Sequence, residues 1–103
     1  MKKNRKLKRL TRSKHNMIME LINLCLKIQE GQDGEIECRN APGKPAVFLE
    51  ISGHVAWFEL RVFENGWEPG VYCDKHFNFY LDRIRGFSKS EFKECRDYLL
   101  KLI

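Results

Sequence analysis

The sequence predicts an α+β fold: an N-terminal helix, an antiparallel meander of three to four strands, and one or two C-terminal helices packed on one face. Three observations predict this class. Apolar residues between Met17 and Ile28 recur at helical spacing, the segment from Ala46 to Asp74 alternates apolar and polar residues, and Ser88 and Glu91 have capping-box spacing. A chain of 103 residues with 43% hydrophobic content can bury one core.

The first helix is predicted from an N-cap at Thr11 or Ser13 to Gln29, because its apolar residues form one wide stripe, and Gly31 is a natural stop. The stripe consists of Met17, Leu21, Leu24, Cys25 and Ile28. Residues 35–39 then alternate strictly, which predicts a strand with Ile36 and Cys38 facing inward. At twelve residues, the apolar stretch 17–28 is too short to span a bilayer, which needs about 20 residues.

The central meander is predicted from two turns, one at Ser52-Gly53 and one at Asn65-Gly66, the strongest short-range hairpin signal. If both loops contain two residues, Val47 pairs with Phe58 and Leu60 pairs with Val71. One face is then wholly apolar: Val47, Leu49, Ala56, Phe58, Leu60, Val62, Val71 and Cys73. This agreement between two turns supports the register. Pro69 implies an edge or a bulge in the last strand.

The segment 76–85 fits either a short helix capped by Asp74 or a further strand. In the helical alternative, Phe77, Tyr80, Leu81 and Ile84 face inward. The final helix follows the capping box, and its buried face is predicted to hold Phe92, Cys95, Leu99 and Leu102.

Charge divides the chain into a basic start and an acidic middle. The first fourteen residues carry eight bases and no acid, whereas residues 30–74 carry nine acids and three bases. We therefore expect residues 1–12 to form a basic flexible arm and residues 13–103 to form a single α+β domain.

The basic arm predicts contact with nucleic-acid phosphates, because several cations together release counterions from a phosphate backbone. The arm contains no aromatic residue, so it is expected to follow phosphates and not to read bases. The predicted nucleic-acid-binding residues are Lys2, Lys3, Arg5, Lys6, Lys8, Arg9, Arg12 and Lys14.

The second face of the predicted sheet mixes aromatic and acidic residues, and it predicts a binding surface for a basic protein. In the assumed register, Phe48 opposes Trp57 and Tyr72 opposes Glu59. The predicted protein-binding residues are Phe48, Glu50, Trp57, Glu59, Arg61, Phe63, Glu68 and Tyr72. The alternative is that a helix covers these rings.

No set of residues with assignable catalytic roles emerges, so an enzyme, a cofactor and a metal site are not expected. Cys73 and His76 have the spacing of half a zinc site, which Cys38 and His54 would complete, but the predicted strands keep these ligands apart. Cys25 and Cys95 are expected in the core. Unpaired cysteines without a secretion signal predict a cytoplasmic location.

These patterns lead to a hypothesis of a small non-enzymatic, nucleic-acid-associated regulatory protein, whose arm contacts phosphates and whose sheet face contacts a protein. The alternative is an inhibitor of the phage or mobile-element type, which binds the basic groove of a nucleic-acid-processing enzyme. A membrane partner is not expected, and the sequence leaves the oligomeric state open.

Overall fold

The computed structural model describes residues 2–82 and 86–103, with side chains from Lys14 onward in the first helix. Its elements are α1 (Lys2–Ile28), β1 (Ala46–Ser52), β2 (Trp57–Phe63), β3 (Lys75–Tyr80) and α2 (Lys89–Leu100), with a short 3-10 turn at Gly53–Val55. The three strands form one antiparallel sheet in the order β1-β2-β3. The α+β class is therefore confirmed, with three strands in the sheet.

Helix α1 begins at Lys2, well before the start predicted near residue 13, and it crosses the predicted boundary between arm and domain. The side chains of residues 2–13 lie outside the described part, so the separate arm 1–12 stays a prediction. The buried residues of α1 are Ile18, Leu21, Cys25 and Ile28, which recur at the predicted spacing of three or four. Among the described residues, no helix combines the length and the apolar character that crossing a membrane requires.

The first hairpin joins β1 to β2, but its loop is longer and its register is different from the prediction. Val47 pairs with Val62 and Ile51 pairs with Phe58, so the loop comprises residues 53–56 and not Ser52-Gly53. The change relative to the predicted register is an even number of residues. Because side chains alternate with a period of two, the predicted faces are preserved.

The second hairpin was placed wrongly, because the third strand is Lys75–Tyr80 and not the segment that contains Pro69 and Val71. Asn65-Gly66 does not close a two-residue loop; it begins a long connection over residues 64–74. Leu60 pairs with Phe77, so residues 75–80 are a strand and the short-helix alternative is wrong there. Residues 83–85, including Ile84, lie outside the described residues.

The connection over residues 64–74 does not fold back directly as a hairpin strand, because its first residues pair with the 39–41 backbone. Trp67 donates its backbone N–H to the carbonyl of Arg39 (3.0 Å), and Ala41 donates to the carbonyl of Trp67 (3.0 Å). Gly66 makes this approach possible, since it has φ +86° and a Cβ there would lie 2.7 Å from the Asn40 carbonyl carbon. The tertiary pairing therefore overrides the local hairpin signal.

The predicted strand 35–39 is also wrong, since this segment forms one isolated bridge, Glu30 with Ile36, and a second bridge, Asn40 with Trp67, follows just after it. Ile36 and Cys38 are exposed, not inward-facing. The segment is held in part by Arg39, whose guanidinium donates to the carbonyls of Glu30 (3.0 Å) and Pro45 (3.2 Å). The buried Arg39 side chain therefore adds to the backbone hydrogen bonds that join this segment to the end of α1, such as Glu37 N–H to the carbonyl of Gln29 (2.9 Å).

The core lies between one face of the sheet and the two helices. It comprises Ile18, Leu21, Cys25 and Ile28 of α1, Phe58, Leu60 and Val62 of β2, Phe77 and Phe79 of β3, and Phe92, Cys95 and Leu99 of α2. The strand residues all belong to one face, because they alternate along β2 and β3. The predicted Val71 and Cys73 are not part of this cluster, since their segment is not a strand.

Helix α2 has the predicted N-terminus. Ser88 accepts a hydrogen bond from the backbone of Glu91 (3.1 Å), and the Glu91 carboxylate accepts one from the backbone of Ser88 (3.0 Å). This reciprocal pair is the capping box, which satisfies two backbone donors of the helix end. Phe92, Cys95 and Leu99 are buried, and Leu102 packs beside them just after the helix.

Candidate interaction surface on the sheet

Over the described residues, neither helix covers the face of the sheet opposite the core, and we call it the outer sheet face. Its side chains come from all three strands and alternate with the core residues. It comprises Phe48 and Glu50 of β1, Trp57, Glu59, Arg61 and Phe63 of β2, and His76, Asn78 and Tyr80 of β3. Six of the eight residues predicted as protein-binding are therefore brought together on one face.

An aromatic group lies at one end of the outer sheet face. The Phe48 ring lies 5.0 Å from the Phe63 ring and 6.2 Å from the Trp67 ring. The Arg61 guanidinium lies 5.7 Å from the centroid of the Phe48 ring, within the range of a cation–π contact. Phe48 and Trp67 are exposed, whereas Phe63 is buried beneath them. Phe63 therefore supports this group from beneath, and its role in protein binding stays a prediction.

A second aromatic pair lies toward the hairpin, where Trp57 and Tyr80 face each other across β2 and β3. Their ring centroids are 4.7 Å apart in an edge-to-face arrangement. Trp57 opposes Ser52 and Tyr80, so the predicted opposition of Phe48 and Trp57 is wrong, and Phe48 opposes Arg61. The two aromatic groups are thus separated along the sheet.

Acidic residues occupy the middle of the outer sheet face. Glu50 lies directly opposite Glu59 in the strand pair, an arrangement in which like charges repel. The Oε1 atom of Glu59 lies 2.8 Å from Nε2 of His76, which supplies a counter-charge when it is protonated. Within the described part of the chain, the Glu50 side chain forms no hydrogen bond or ion pair. The Glu50 carboxylate is therefore available to pair with a cation of a binding partner.

Two predicted residues, Glu68 and Tyr72, are not on the sheet, because the third strand begins only at Lys75. Both lie in the 64–74 connection, and Tyr72 is 91% exposed there. The predicted opposition of Tyr72 and Glu59 is therefore wrong, and Asn78 opposes Glu59 instead.

Four residues of this surface were missed by the sequence reasoning: Trp67, His76, Asn78 and Tyr80. The alternation of polar His76 and Asn78 with apolar Phe77 and Phe79 is a strand signal that would have found the residues of β3. No local signal marks Trp67, which reaches Phe48 through the distant loop pairing.

The predicted phosphate-binding side chains are described only at Lys14, which is half-buried. The others, from Lys2 to Arg12, lie outside the described side chains. Their assignment to nucleic acid therefore stays a prediction that depends on charge alone.

The predicted half zinc site is not assembled. Cys73 is half-buried in the connection, Cys38 is exposed, and His76 faces Glu59. Over residues 2–82 and 86–103, no group of three or more His, Cys, Asp or Glu side chains is placed to hold a metal ion.

Cys25 and Cys95 lie in the core as predicted. Burial raises the pKa of each thiol to about 12, and for Cys95 the nearby Cys25 and Glu94 add to the shift. The protonated thiols therefore behave as small apolar side chains.

No protein-family model, no curated protein and no solved structure matches this chain significantly.

Proposed function

We propose that this protein is a small non-enzymatic, nucleic-acid-associated binding protein. In this proposal the bases of the first fourteen residues contact phosphates, and the outer sheet face contacts a basic surface of a protein partner. The observation that carries the proposal is the outer sheet face itself. It lies away from both helices and presents exposed Phe48 beside the acids Glu50 and Glu59. Exposed rings with adjacent charges are typical of protein-binding surfaces.

The phosphate-contacting half of the proposal is supported by the uneven distribution of charge. Eight of the 19 bases fall within the first fourteen residues, where no acid opposes them. Positive charge of this density attracts a polyanion, and the attraction weakens as salt rises. The acidic outer sheet face, in contrast, repels phosphates, so the two partners are expected at different places. The proposal includes a cytoplasmic location, where free cysteines stay reduced.

The test compares two full-length variants with the same net charge. One replaces Lys2, Lys3, Lys6 and Lys8 by Gln, and the other replaces Lys27, Lys44, Lys89 and Lys101 by Gln. Each variant carries a net charge of +1 in place of +5. Binding to short single- and double-stranded DNA and RNA is measured by fluorescence anisotropy over a salt series. We expect the first variant to lose about three units of the logarithmic salt slope, and the second to keep the wild-type slope.

Equal slopes for the two variants would contradict the arm as the phosphate-binding element, because net charge alone would then explain the binding. No binding by the wild-type protein at moderate salt would reject association with nucleic acid. The inhibitor hypothesis would then be tested with Trp57→Ala combined with Glu59→Lys, which it predicts to remove binding to a basic enzyme groove.

A further inference from the structure

The two edges of the sheet differ in how well they are protected against pairing with another strand. The β3 edge presents Lys75, His76 and Asn78, which are polar residues of the kind that blunt an edge. The β1 edge has no Lys, Arg or Pro over residues 46–52. Instead it exposes Leu49 (39%) and Ile51 (53%). Apart from Glu50, strand β1 is therefore an apolar edge, and it has none of the Lys or Pro residues that usually protect one.

The backbone of β1 points its hydrogen-bonding groups outward at alternate residues. The N–H of Val47 donates to Oε1 of Gln29 (2.7 Å), so this group points away from β2. On the other side of the pair, the carbonyl of Val62 accepts from Asp74 and points toward β3. Antiparallel ladders alternate with a period of two, so Leu49 and Ile51 also point their N–H and C=O groups away from β2. In the described part of the chain, no partner occupies these outward groups.

The side chains of β1 determine which kind of strand could pair with this edge. Leu49 and Ile51 belong to the face that carries the helices, but they lie outside the core that the helices cover. On the outer sheet face, Glu50 opposes Glu59, and the Glu50 carboxylate has no hydrogen-bonding or ionic partner among the described residues. An added strand would therefore cover Leu49 and Ile51 with apolar residues, and it would place a cation beside Glu50.

The β1 strand of a second copy of this chain does not meet this requirement. Because β1 contains no Lys or Arg, pairing with another β1 in any register leaves Glu50 without a cation. In the register that places Ile51 opposite Leu49, the two Glu50 carboxylates would face each other and repel. Charge complementarity thus favours a different strand with basic residues.

We infer that the β1 edge takes up an extended segment of a partner protein as a fourth strand, with Lys or Arg alternating with apolar residues. The backbone of the segment bonds to Leu49 and Ile51, its cation pairs with Glu50, and its apolar residues cover the exposed side chains of β1. This inference deepens the proposed function, because it names the chemistry of the protein partner.

The probe is a fluorescein-labelled hexapeptide of alternating Lys and Val, compared with the matched peptide of alternating Glu and Val. We expect the Lys-Val peptide to bind the full-length protein in an anisotropy titration and the Glu-Val peptide to fail. Amide hydrogen exchange should show that the Lys-Val peptide protects the amides of Leu49 and Ile51. The amides of Phe48 and Glu50 already bond to β2 and serve as the internal control.

Two pairs of variants separate the contributions of backbone and charge. Ile51→Pro removes an outward N–H that the β1–β2 ladder does not use, and Ile51→Ala loses a similar side chain but keeps that group. We expect Ile51→Pro to bind the Lys-Val peptide about tenfold more weakly than Ile51→Ala, and Glu50→Gln to weaken it several-fold relative to wild type. Glu94→Gln, the same change at an exposed position of α2, should not weaken binding.

Three results would overturn the inference. They are absence of Lys-Val binding, binding that leaves the Leu49 and Ile51 amides unprotected, and protection of those amides by self-association without peptide. All three results are measured on the wild-type protein, so they test the inference even if Ile51→Pro does not fold. Nucleic-acid binding without peptide binding would reject only the edge-strand inference, whereas the converse would reject only the phosphate-binding half of the proposed function.

Discussion

At the scale of single residues, Gly66 shows how one position decides the path of the chain. It is buried with φ +86°, and the carbonyl group of Asn40 approaches it where a side chain would begin. Gly70 has nearly the same φ, +83°, but nothing lies within 4 Å of a Cβ placed there. The two glycines therefore separate the effect of backbone conformation from the effect of close packing.

We expect Gly70→Ala to lower the free energy of unfolding by about 1 kcal/mol, because a left-handed conformation is unfavourable for any residue with a Cβ. Gly66→Ala should cost about 1–3 kcal/mol more, since its Cβ must also displace the 40–41 backbone. Urea unfolding of both variants followed by circular dichroism measures the difference. Equal losses of unfolding free energy in the two variants would show that the 39–43 loop leaves room for a Cβ at Gly66.

At the scale of elements, the segment between α1 and β1 is held by two polar side chains in addition to short backbone bridges. The Arg39 side chain is only 6% exposed, and its guanidinium also pairs with the Glu37 carboxylate (2.9 Å). Gln29 bonds to the carbonyl of Glu37 (3.0 Å) and to the N–H of Val47. These two residues join the end of α1, the loop and the start of β1.

We expect Arg39→Lys to lower the free energy of unfolding by about 2 kcal/mol, because a single ammonium group cannot reach three acceptors that the planar guanidinium satisfies. The matched control is Arg61→Lys on the exposed outer sheet face, which should cost about 0.5 kcal/mol or less. Chemical unfolding measures both. A similar small cost at the two positions would mean that the Arg39 contacts contribute little to stability.

The connection between β2 and β3 is held by a second set of contacts. The Tyr98 hydroxyl on α2 donates to the Glu64 carboxylate, and the backbone N–H of Glu64 donates to the Asp74 carboxylate (2.7 Å). Lys75 lies 5.5 Å from the Phe77 ring centroid and 5.8 Å from that of Tyr98. Helix α2 thus fixes both ends of a connection that the local sequence does not define.

At the scale of the whole molecule, the core contains groups that resist ionisation. Burial raises the pKa of the Cys25 and Cys95 thiols from 9.0 to about 12. Burial and the hydrogen bond to Glu64 also raise the pKa of the Tyr98 hydroxyl. Above pH 9 the unfolded chain loses these protons while the folded chain keeps them, so the folded state becomes less favoured as pH rises.

We therefore expect the free energy of unfolding to fall between pH 9 and pH 11, by up to about 1.4 kcal/mol per pH unit for each thiol. In the double variant Cys25→Ala, Cys95→Ala the slope should be clearly smaller, with Tyr98 responsible for part of the remainder. The exposed Cys38→Ala variant is the control and should keep the wild-type slope. Urea unfolding across this pH range measures the slopes, and an unchanged slope in the double variant would contradict this account.

The sequence by itself determined which residues of α1, β2 and α2 face the core. Helical spacing identified the stripes of α1 and α2, the capping box located the start of α2, and alternation assigned Phe58, Leu60 and Val62 to one face of the sheet. These assignments depend on periodicity, which is a local property. These assignments are correct although the predicted β1–β2 register is wrong. The register is displaced by an even number of residues, which keeps each side chain on its face, so six of the eight proposed contact residues still share the outer sheet face.

Only the tertiary structure decided where the third strand lies, which aromatic residues are covered, and which edge is open. Asn65-Gly66 favours a local hairpin, but pairing with the 39–41 backbone outweighs it and moves the third strand to Lys75–Tyr80. The same pairing brings Trp67 to Phe48 and leaves Glu68 and Tyr72 off the sheet. Strand pairing depends on contacts between residues far apart in sequence. Local strand propensity is similar in the competing segments, so it does not show which segment pairs with β2.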